Sequence, residues 1–331
     1  MRYSRAEDAV LAVMPRFVDV QAWSSVGDSE VDLIVNGQSF QLKWLTVGSL
    51  GEVRRLLAQP HHRPEIVAAP RLSPGARAVL SEAGIGWVDE TGAAEIAQGS
   101  IVVSRSGKSE SRRATPRRWT PAVLAVAEAA LLGITPTTSD MEAATGLSTG
   151  SCVKALRTLT MLGLLESDAD RGRNSGRRVA QFDTLLDSYA TAANELRSNL
   201  LLEVGVTWRD FAAGVRSVVT GWEDAGYDYA VTGSLAADCI APYQTNVSIA
   251  EVYVSAHSPA SLDACANAVG LRPIEGGRLV LRPLPTATTT SLATESGGLR
   301  LAPWPRIYAD LVISGVRGED AAEHLREIMH G

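Results

Sequence analysis

The pattern of apolar and polar residues from Thr120 to Phe182 predicts a helix, a turn and further helices, followed by a short basic loop. An apolar run rich in Ala and Leu predicts a buried helix. Two further helices follow, because Ser, Thr and Asp near residue 139 can cap one helix and Gly146 can end it before the next begins. The predicted helices are Pro121–Leu132, Ser139 or Asp140 to Thr145, and Gly150–Leu162.

The third of these helices is predicted to have two faces. Its helical spacing places one apolar set toward the other helices: Val153, Leu156, Leu159 and Met161. The same spacing leaves a polar set for another surface: Ser151, Lys154, Arg157 and Thr158.

A predicted hairpin follows, with a first strand near Glu166, a Gly-rich basic tip and a second strand from Val179 to Phe182. Cations gathered on one loop suit a phosphate backbone, and here they are Arg171, Arg173, Arg177 and Arg178. Helix-turn-helix plus basic hairpin resembles a winged helix-turn-helix domain, which implies a recognition helix in the major groove and a wing on the backbone or minor groove. A small helical domain without a nucleic-acid role is the alternative.

Length, composition and net charge narrow the class of protein. A length of 331 residues predicts two or three domains, and 45% hydrophobic residues support well-formed cores. A net charge of -6 means that a nucleic-acid binder of this kind must confine its positive charge locally. We expect no secretion leader, no membrane span, and no disulfide or zinc site from Cys152, Cys239 and Cys265, which lack CxxC spacing. The prediction is a cytoplasmic protein without cofactor or metal.

Residues 1–103 predict an α/β domain with a mixed central sheet. Asp32 lies on one strand of a predicted hairpin, and Gln41-Leu42-Lys43 lies on the next. This arrangement resembles the PD-(D/E)xK nuclease fold, a restriction-endonuclease-like fold in which a strand Asp and a (D/E)xK pair hold a divalent metal for phosphodiester hydrolysis. The resemblance implies that Asp32 is the metal Asp, Lys43 the motif lysine, and Glu7 a further acid.

Gln41 departs from that motif, because a neutral amide replaces the acidic ligand and supports a hard divalent cation less well. Glu30 lies on the same face as Asp32, two residues away, and does not fill the same corner. We therefore expect an inactive nuclease-like fold that serves as a binding module. An active nuclease and an unrelated α/β domain remain the alternatives.

Residues 104–119 read as a basic linker rich in Ser, Gly and Pro. Its cations are Arg105, Lys108, Arg112, Arg113, Arg117 and Arg118. The segment is either a solvated tether or an arm that follows the DNA backbone or enters a minor groove.

The C-terminal part begins with a predicted amphipathic helix, Asp183–Glu203. It defines a segment, residues 184–206, that links domains or pairs with its copy in a homodimer. Residues 207–331 then place a Gly233-Ser234 turn between a strand and a helix, and Glu251 on a second strand. This resembles the nucleotidyltransferase superfamily, in which such a turn binds nucleotide phosphates and an Asp-x-Asp pair holds magnesium. Because Glu251 has no acid two residues away, we expect a degenerate domain without catalysis.

The order of these parts, together with Pro303–Leu311 and the ending Arg317–Arg326, resembles the AbiEi-type antitoxin and transcriptional-regulator family. The resemblance covers about residue 115 to the C-terminus. It implies a DNA-binding repressor or autoregulator, in some members paired with a nucleotidyltransferase toxin. The nuclease-like domain is absent from the shortest members.

The sequence thus predicts a multidomain α/β protein with a winged helix-turn-helix at residues 120–183. We expect a bacterial transcriptional regulator that binds double-stranded DNA as a homodimer, with flanking domains for sensing, dimerisation or additional nucleic-acid contacts. One alternative is an antitoxin that neutralises a toxin by protein contact. The other is an enzyme, either a nuclease through Asp32 and Lys43 or a nucleotidyltransferase through Ser234 and Glu251.

Overall fold

The computed structural model describes residues 5–15, 18, 20–24, 30–35, 37–59, 63–98, 101–107, 119–167, 177–243, 247–286 and 288–330. The chain forms two compact units, Met1–Thr115 and Pro116–Gly331. Both contain helices and mixed sheets, so the protein is of the α/β multidomain class that the sequence predicts.

The first unit is built on one sheet of seven strands in the order β1-β2-β3-β4-β5-β6-β7. Strands β3, β4 and β5 are parallel, and their outer neighbours on both sides are antiparallel. Its elements are α1 (Arg5–Val13), β1 (Val20–Ser24), β2 (Glu30–Val35), β3 (Gln38–Trp44), α2 (Leu50–Leu57), β4 (Ile66–Ala69), α3 (Pro74–Glu82), β5 (Gly86–Asp89), β6 (Ala93–Gln98) and β7 (Ile101–Ser106).

Helices cover both faces of this sheet. Strand β4 is buried on each side, since Ile66 packs in one core with α1, while Val67 packs in the other with α2 and α3. Gly48 allows α2 to follow β3 closely, because its φ is +79° and a Cβ there would lie 2.2 Å from the Arg71 carbonyl oxygen. The Ser49 side chain then caps α2 by accepting from the Glu52 N–H.

Strand β7 corrects the predicted linker. Residues Ser104 to Ser106 continue β7 and pair with β6, so the predicted linker of residues 104–119 begins inside the sheet. Arg105 belongs to this strand, and its Nη1 lies 3.4 Å from the Ala12 carbonyl oxygen that accepts from it. The sequence hid this strand because its apolar stretch is short and pairing with β6 is a tertiary property.

The second unit carries a larger set of elements. Its helices are α4 (Pro121–Leu131), α5 (Thr138–Thr145), α6 (Thr149–Met161), α7 (Phe182–Glu195), α8 (Phe211–Asp224), α9 (Gly233–Ile240), α10 (Pro259–Ala268), α11 (Thr288–Ser291), α12 (Trp304–Leu311) and α13 (Val316–His330). Its strands are β8 (Leu165–Ser167), β9 (Arg177–Val179), β10 (Leu202–Gly205), β11 (Tyr229–Thr232), β12 (Ala250–Val254), β13 (Arg272–Pro273), β14 (Leu279–Pro283), β15 (Thr294–Ser296) and β16 (Leu299–Leu301). Across the described residues, no helix combines the length and apolar character needed to span a membrane.

A second seven-stranded sheet has the order β13-β10-β14-β12-β11-β16-β15, and β8 and β9 form a separate hairpin. One continuous core runs from α4 through α7 into this sheet. The sequence divided the same stretch into a DNA-binding domain, a linking helix and a third domain. In the structure, Pro116–Gly331 form one compact unit.

Helix α7 corrects the predicted dimerisation helix. It ends at Glu195, and Leu202–Gly205 form strand β10 inside the sheet, so the predicted helix to Glu203 is too long. The apolar face of α7, including Leu186 and Tyr189, packs on α4 and α12 of the same unit. That face is therefore not available to a second copy of the chain.

A buried polar network ties α4, α7 and α12 together. Glu128 and Arg306 are 0% and 2% exposed, and Arg306 Nε lies 3.7 Å from Glu128 Oε2. The Tyr189 hydroxyl donates to the same carboxylate oxygen, and the Arg306 guanidinium stacks over the Tyr189 ring at 5.3 Å. Burial raises the pKa of Glu128, against the opposing effects of Arg306 and the Tyr189 hydroxyl.

The network continues along α12. Asp310 accepts from Thr232 Oγ1 at 2.6 Å and from the Tyr253 hydroxyl at 2.7 Å, which joins α12 to β11 and β12. Tyr308 donates to Asp187 and to Glu323, linking α12 to α7 and α13. Burial raises the pKa of Tyr189, Tyr253 and Tyr308 well above the ordinary value of 10.

We expect replacement of Arg306 with Met to lower the free energy of unfolding by about 3–5 kcal/mol, because it leaves Glu128 buried without its cation. Adding Glu128→Gln to that variant removes the unpaired charge, and we expect part of the loss to be recovered. Urea unfolding measures both changes. The matched control is Arg300→Met, since Arg300 is 28% exposed and pairs with exposed acids, a change that costs at most about 1 kcal/mol. Equal losses at the two arginines would contradict a buried ion pair.

The tyrosines predict an alkaline limit to stability. Unfolded phenols ionise near pH 10, whereas these three stay protonated in the fold, so their contribution is complete below about pH 10 and is lost as the pH rises toward their folded pKa values. In an absorbance titration, we expect at least three of the seven tyrosines to ionise only as the protein unfolds. Titration of all seven near pH 10 with the fold intact would refute the buried positions.

Candidate nucleic-acid interface

Helices α4, α5 and α6 pack against one another through local signals that the sequence carries. The Thr137 side chain caps α5, Gly146 ends it in the left-handed conformation with φ 66°, and the Ser148 side chain caps α6. The turn between α5 and α6 is therefore short and fixed. This is a helix-turn-helix arrangement in which α6 is the second helix of the pair.

Helix α6 has one buried and one exposed face. The buried face packs toward α4 and α5 and consists of Cys152, Ala155, Leu156 and Leu159. The opposite face follows the spacing i, i+3, i+4, i+7 and i+11 and consists of Gly150, Val153, Lys154, Arg157 and Met161.

The predicted division of α6 is thus correct for four side chains and wrong for others. Val153 and Met161, predicted in the core, are 46% and 62% exposed. Ser151 and Thr158, predicted on the polar face, are half-buried at its flanks. Their hydroxyls are engaged locally, since the Ser148 hydroxyl donates to Ser151 Oγ, and Thr158 donates to the Lys154 carbonyl. Neither helical spacing nor residue type reveals which apolar positions the neighbouring helices cover.

The charge on the exposed face is unbalanced. Lys154 and Arg157 are exposed, and α6 itself contains no acidic residue. Neither side chain forms an ion pair with any residue in the described part of the chain. The face therefore presents to solvent two cations that have no partner among the residues the structure describes.

Gly150 is unusual within this face. Its φ is outside the left-handed region, and a Cβ at this position would meet no heavy atom within 4 Å. Alanine would fit without a clash, and a helical glycine is about 0.5–1 kcal/mol less stable than alanine. Among the described residues of the unit, none requires the glycine.

The hairpin after α6 presents basic residues in a different way from the prediction. Arg177 and Arg178 lie in β9 and not on a loop tip, and Phe182 begins α7 and does not end a strand. Arg178, on the exposed side, pairs across the hairpin with Glu166 at 2.5 Å. An exposed ion pair of this kind contributes at most about 1 kcal/mol, so it yields readily to a competing phosphate.

Several predicted contacts lie outside the described residues. They are Arg171 and Arg173 of the hairpin and Arg112, Arg113, Arg117 and Arg118 of the segment before α4. Their involvement stays a prediction.

In the first unit, strand register brings the nuclease-like positions to one face of the β2–β3 hairpin. In the strand register, Asp32 lies opposite Gln41, and Lys43 lies opposite Glu30. For Asp32 and Glu30, the structure describes the position in the strand and not the side chain. Gln41 is exposed, and its N–H donates to Glu65 at 2.8 Å, while Glu7 is buried on α1. Among the described side chains, no group of three or more His, Cys, Asp or Glu could hold a metal.

In the second unit, Glu251 forms ion pairs with two arginines. Its Oε2 lies 2.8 Å from Arg197 Nη2 and 3.1 Å from Arg282 Nε, and all three side chains are at most 24% exposed. The two guanidinium groups neutralise the carboxylate, so a divalent cation there would compete with two resident cations. The sequence showed the lone acid but not these arginines, which come from distant parts of the chain.

The Gly233-Ser234 turn lies beside this cluster. Gly233 has φ +63°, so its backbone geometry favours glycine, whereas a Cβ there would lie 3.8 Å from the Glu251 Cβ and make an ordinary contact. Ser234 is half-buried in the first turn of α9. Two residues beyond Glu251 stands Tyr253, whose hydroxyl donates to Asp310, so this position holds a structural tyrosine and not a second acid.

No protein-family model, no curated protein and no solved structure matches this chain. The assignment of function therefore depends on the chemistry of the described residues.

The corrected faces of α6 predict opposite results for two truncations in the same helix. Leu156→Ala opens a cavity at a fully buried position and should lower the free energy of unfolding by about 2–5 kcal/mol. Val153→Ala removes exposed atoms, and we expect a change within about 0.5 kcal/mol. Denaturant unfolding of the two variants measures the difference. A large loss of unfolding free energy in Val153→Ala would contradict the exposed position of Val153.

Proposed function

We propose that this protein is a sequence-specific DNA-binding transcriptional regulator, with residues 120–183 acting as a winged helix-turn-helix. The observation that carries the proposal is the exposed face of α6, where Lys154 and Arg157 have no acidic partner among the described residues. An unpaired cationic helix face suits a polyanion. An α-helix also fits the major groove of B-DNA, which is about 12 Å wide.

The β8–β9 hairpin acts as the wing. Arg177 and Arg178 lie in β9, the second strand of the hairpin that follows α6, and supply cations for backbone phosphates. The proposal adds Arg171 and Arg173 to this contact. Arg112, Arg113, Arg117 and Arg118 then form an arm on the neighbouring backbone or minor groove.

The proposal places the chain near the AbiEi-type antitoxins and regulators, and assigns it a homodimer that reads two half-sites. The sequestered Glu251 supports a nucleotidyltransferase-like domain that works without catalysis. The first unit serves as an inactive nuclease-like module for sensing or additional contacts. Because α7 uses its apolar face internally, the proposed dimer forms through another surface.

Two sets of substitutions separate base reading from phosphate binding. After a site has been selected from random duplexes, we expect Arg157→Ala to reduce discrimination at one base pair by about tenfold, because a side chain that reads a base edge is lost. Arg177→Ala with Arg178→Ala should weaken binding to every duplex and reduce the slope of log affinity against log salt by about two. Fluorescence anisotropy over several salt concentrations measures both quantities.

Arg272→Ala is the matched control, because Arg272 is an exposed arginine on β13 and has no part in the proposed interface. We expect it to leave affinity, discrimination and salt slope unchanged. A protein that selects no duplex, or that binds equally after the wing and helix substitutions, would contradict the proposed function.

A further inference from the structure

Two positions on the exposed face of α6 have no role that the described residues explain. Gly150 lacks a side chain although a Cβ there would meet no heavy atom within 4 Å, and its backbone does not need glycine. Val153 exposes 46% of its surface although the helix has a well-filled apolar face elsewhere. Each feature is unfavourable or neutral for the free protein.

The two positions belong to one stripe. Gly150, Val153 and Arg157 are spaced i, i+3 and i+7, so they follow one another along the helix surface. A surface pressed against this stripe meets bare backbone first, then an isopropyl group, then a guanidinium. Glycine is the residue that permits close approach of a backbone to a ligand.

The major groove offers a partner for each element of the stripe. Its apolar group is the 5-methyl of thymine, and its strongest match for arginine is the O6 and N7 edge of guanine. An isopropyl group held four residues before an arginine therefore suits a thymine close to the base that the arginine reads. The glycine admits the duplex closely enough for the short Val side chain to reach it.

We propose that Val153 determines sequence preference by packing on a thymine 5-methyl group in the major groove, with the DNA making its closest approach at Gly150. This inference depends on the proposed function. It adds an apolar base contact to the contacts proposed for the cations of α6. The predicted ligand class is duplex DNA in which one half-site thymine is required for its methyl group.

The test uses the full chain and the duplex selected from random sequences. Each thymine of the selected site is replaced in turn by deoxyuridine, which removes the methyl and keeps the base pair. We expect one position per half-site at which this change weakens binding by about fourfold, the effect of one buried methyl group. In Val153→Ala, the same replacement should have a clearly smaller effect, because the shorter side chain contacts less of the methyl group. Val316→Ala, at a helical valine of nearly equal exposure, 47%, should keep the wild-type response.

Gly150→Ala gives a second test, in which stability and affinity for DNA are expected to change in opposite directions. We expect the melting temperature to hold or rise, because alanine favours the helix, while affinity for the selected site falls by at least about tenfold. A merely structural glycine would move stability without a specific loss of binding.

Two outcomes overturn the inference while leaving the proposed function intact. One is a selected site that Arg157 discriminates but at which no deoxyuridine replacement matters. The other is a methyl effect that persists undiminished in Val153→Ala, which would assign the contact to another side chain. Failure to select any duplex would instead contradict the proposed function itself.

Discussion

The second unit depends on the buried contact of Glu128, Tyr189 and Arg306. A carboxylate and a guanidinium this deep in a core are costly unless they face each other, so α4, α7 and α12 can pack in few ways. Asp310, one turn along α12, extends the constraint to β11 and β12. Since α6 packs on α4, the direction of its exposed face is fixed through the same network. The DNA-binding surface that we propose on α6 therefore has a rigid support.

The charges of this unit fall into two kinds according to whether the fold satisfies them. Glu251 is neutralised by Arg197 and Arg282, so the acid that resembles part of an enzyme site already has two partners within the fold. Lys154 and Arg157 receive no such compensation from the described residues. Unmatched charge at a rigid surface costs the free protein little in water, and it becomes favourable when a polyanion binds. This contrast is the reason for proposing α6 as the functional surface.

Local signals explain why the helices around α6 were predictable from the sequence. Caps such as Ser148 and the left-handed Gly146 act over a few residues, and they set the predicted bounds almost correctly. Strand β10 was missed because it is short and pairs with β14, far along the chain. Strand β7 pairs with β6, its neighbour in the chain, and it was missed because its second half is polar. The exposure of Val153 was missed for a related reason, since spacing gives a side chain its direction but not its neighbours.

The features that the fold leaves unexplained are the most informative about a partner. Residues that stabilise the free unit, such as Leu156, say little about binding, because packing alone accounts for them. Gly150 and Val153 have no such account, since the helix would be no worse with alanine at either position. Their common stripe with Arg157 joins two minor anomalies to the unpaired charge. A single external surface, apolar at one point and electronegative at the next, explains all three, and the major groove at a thymine beside a guanine has that character.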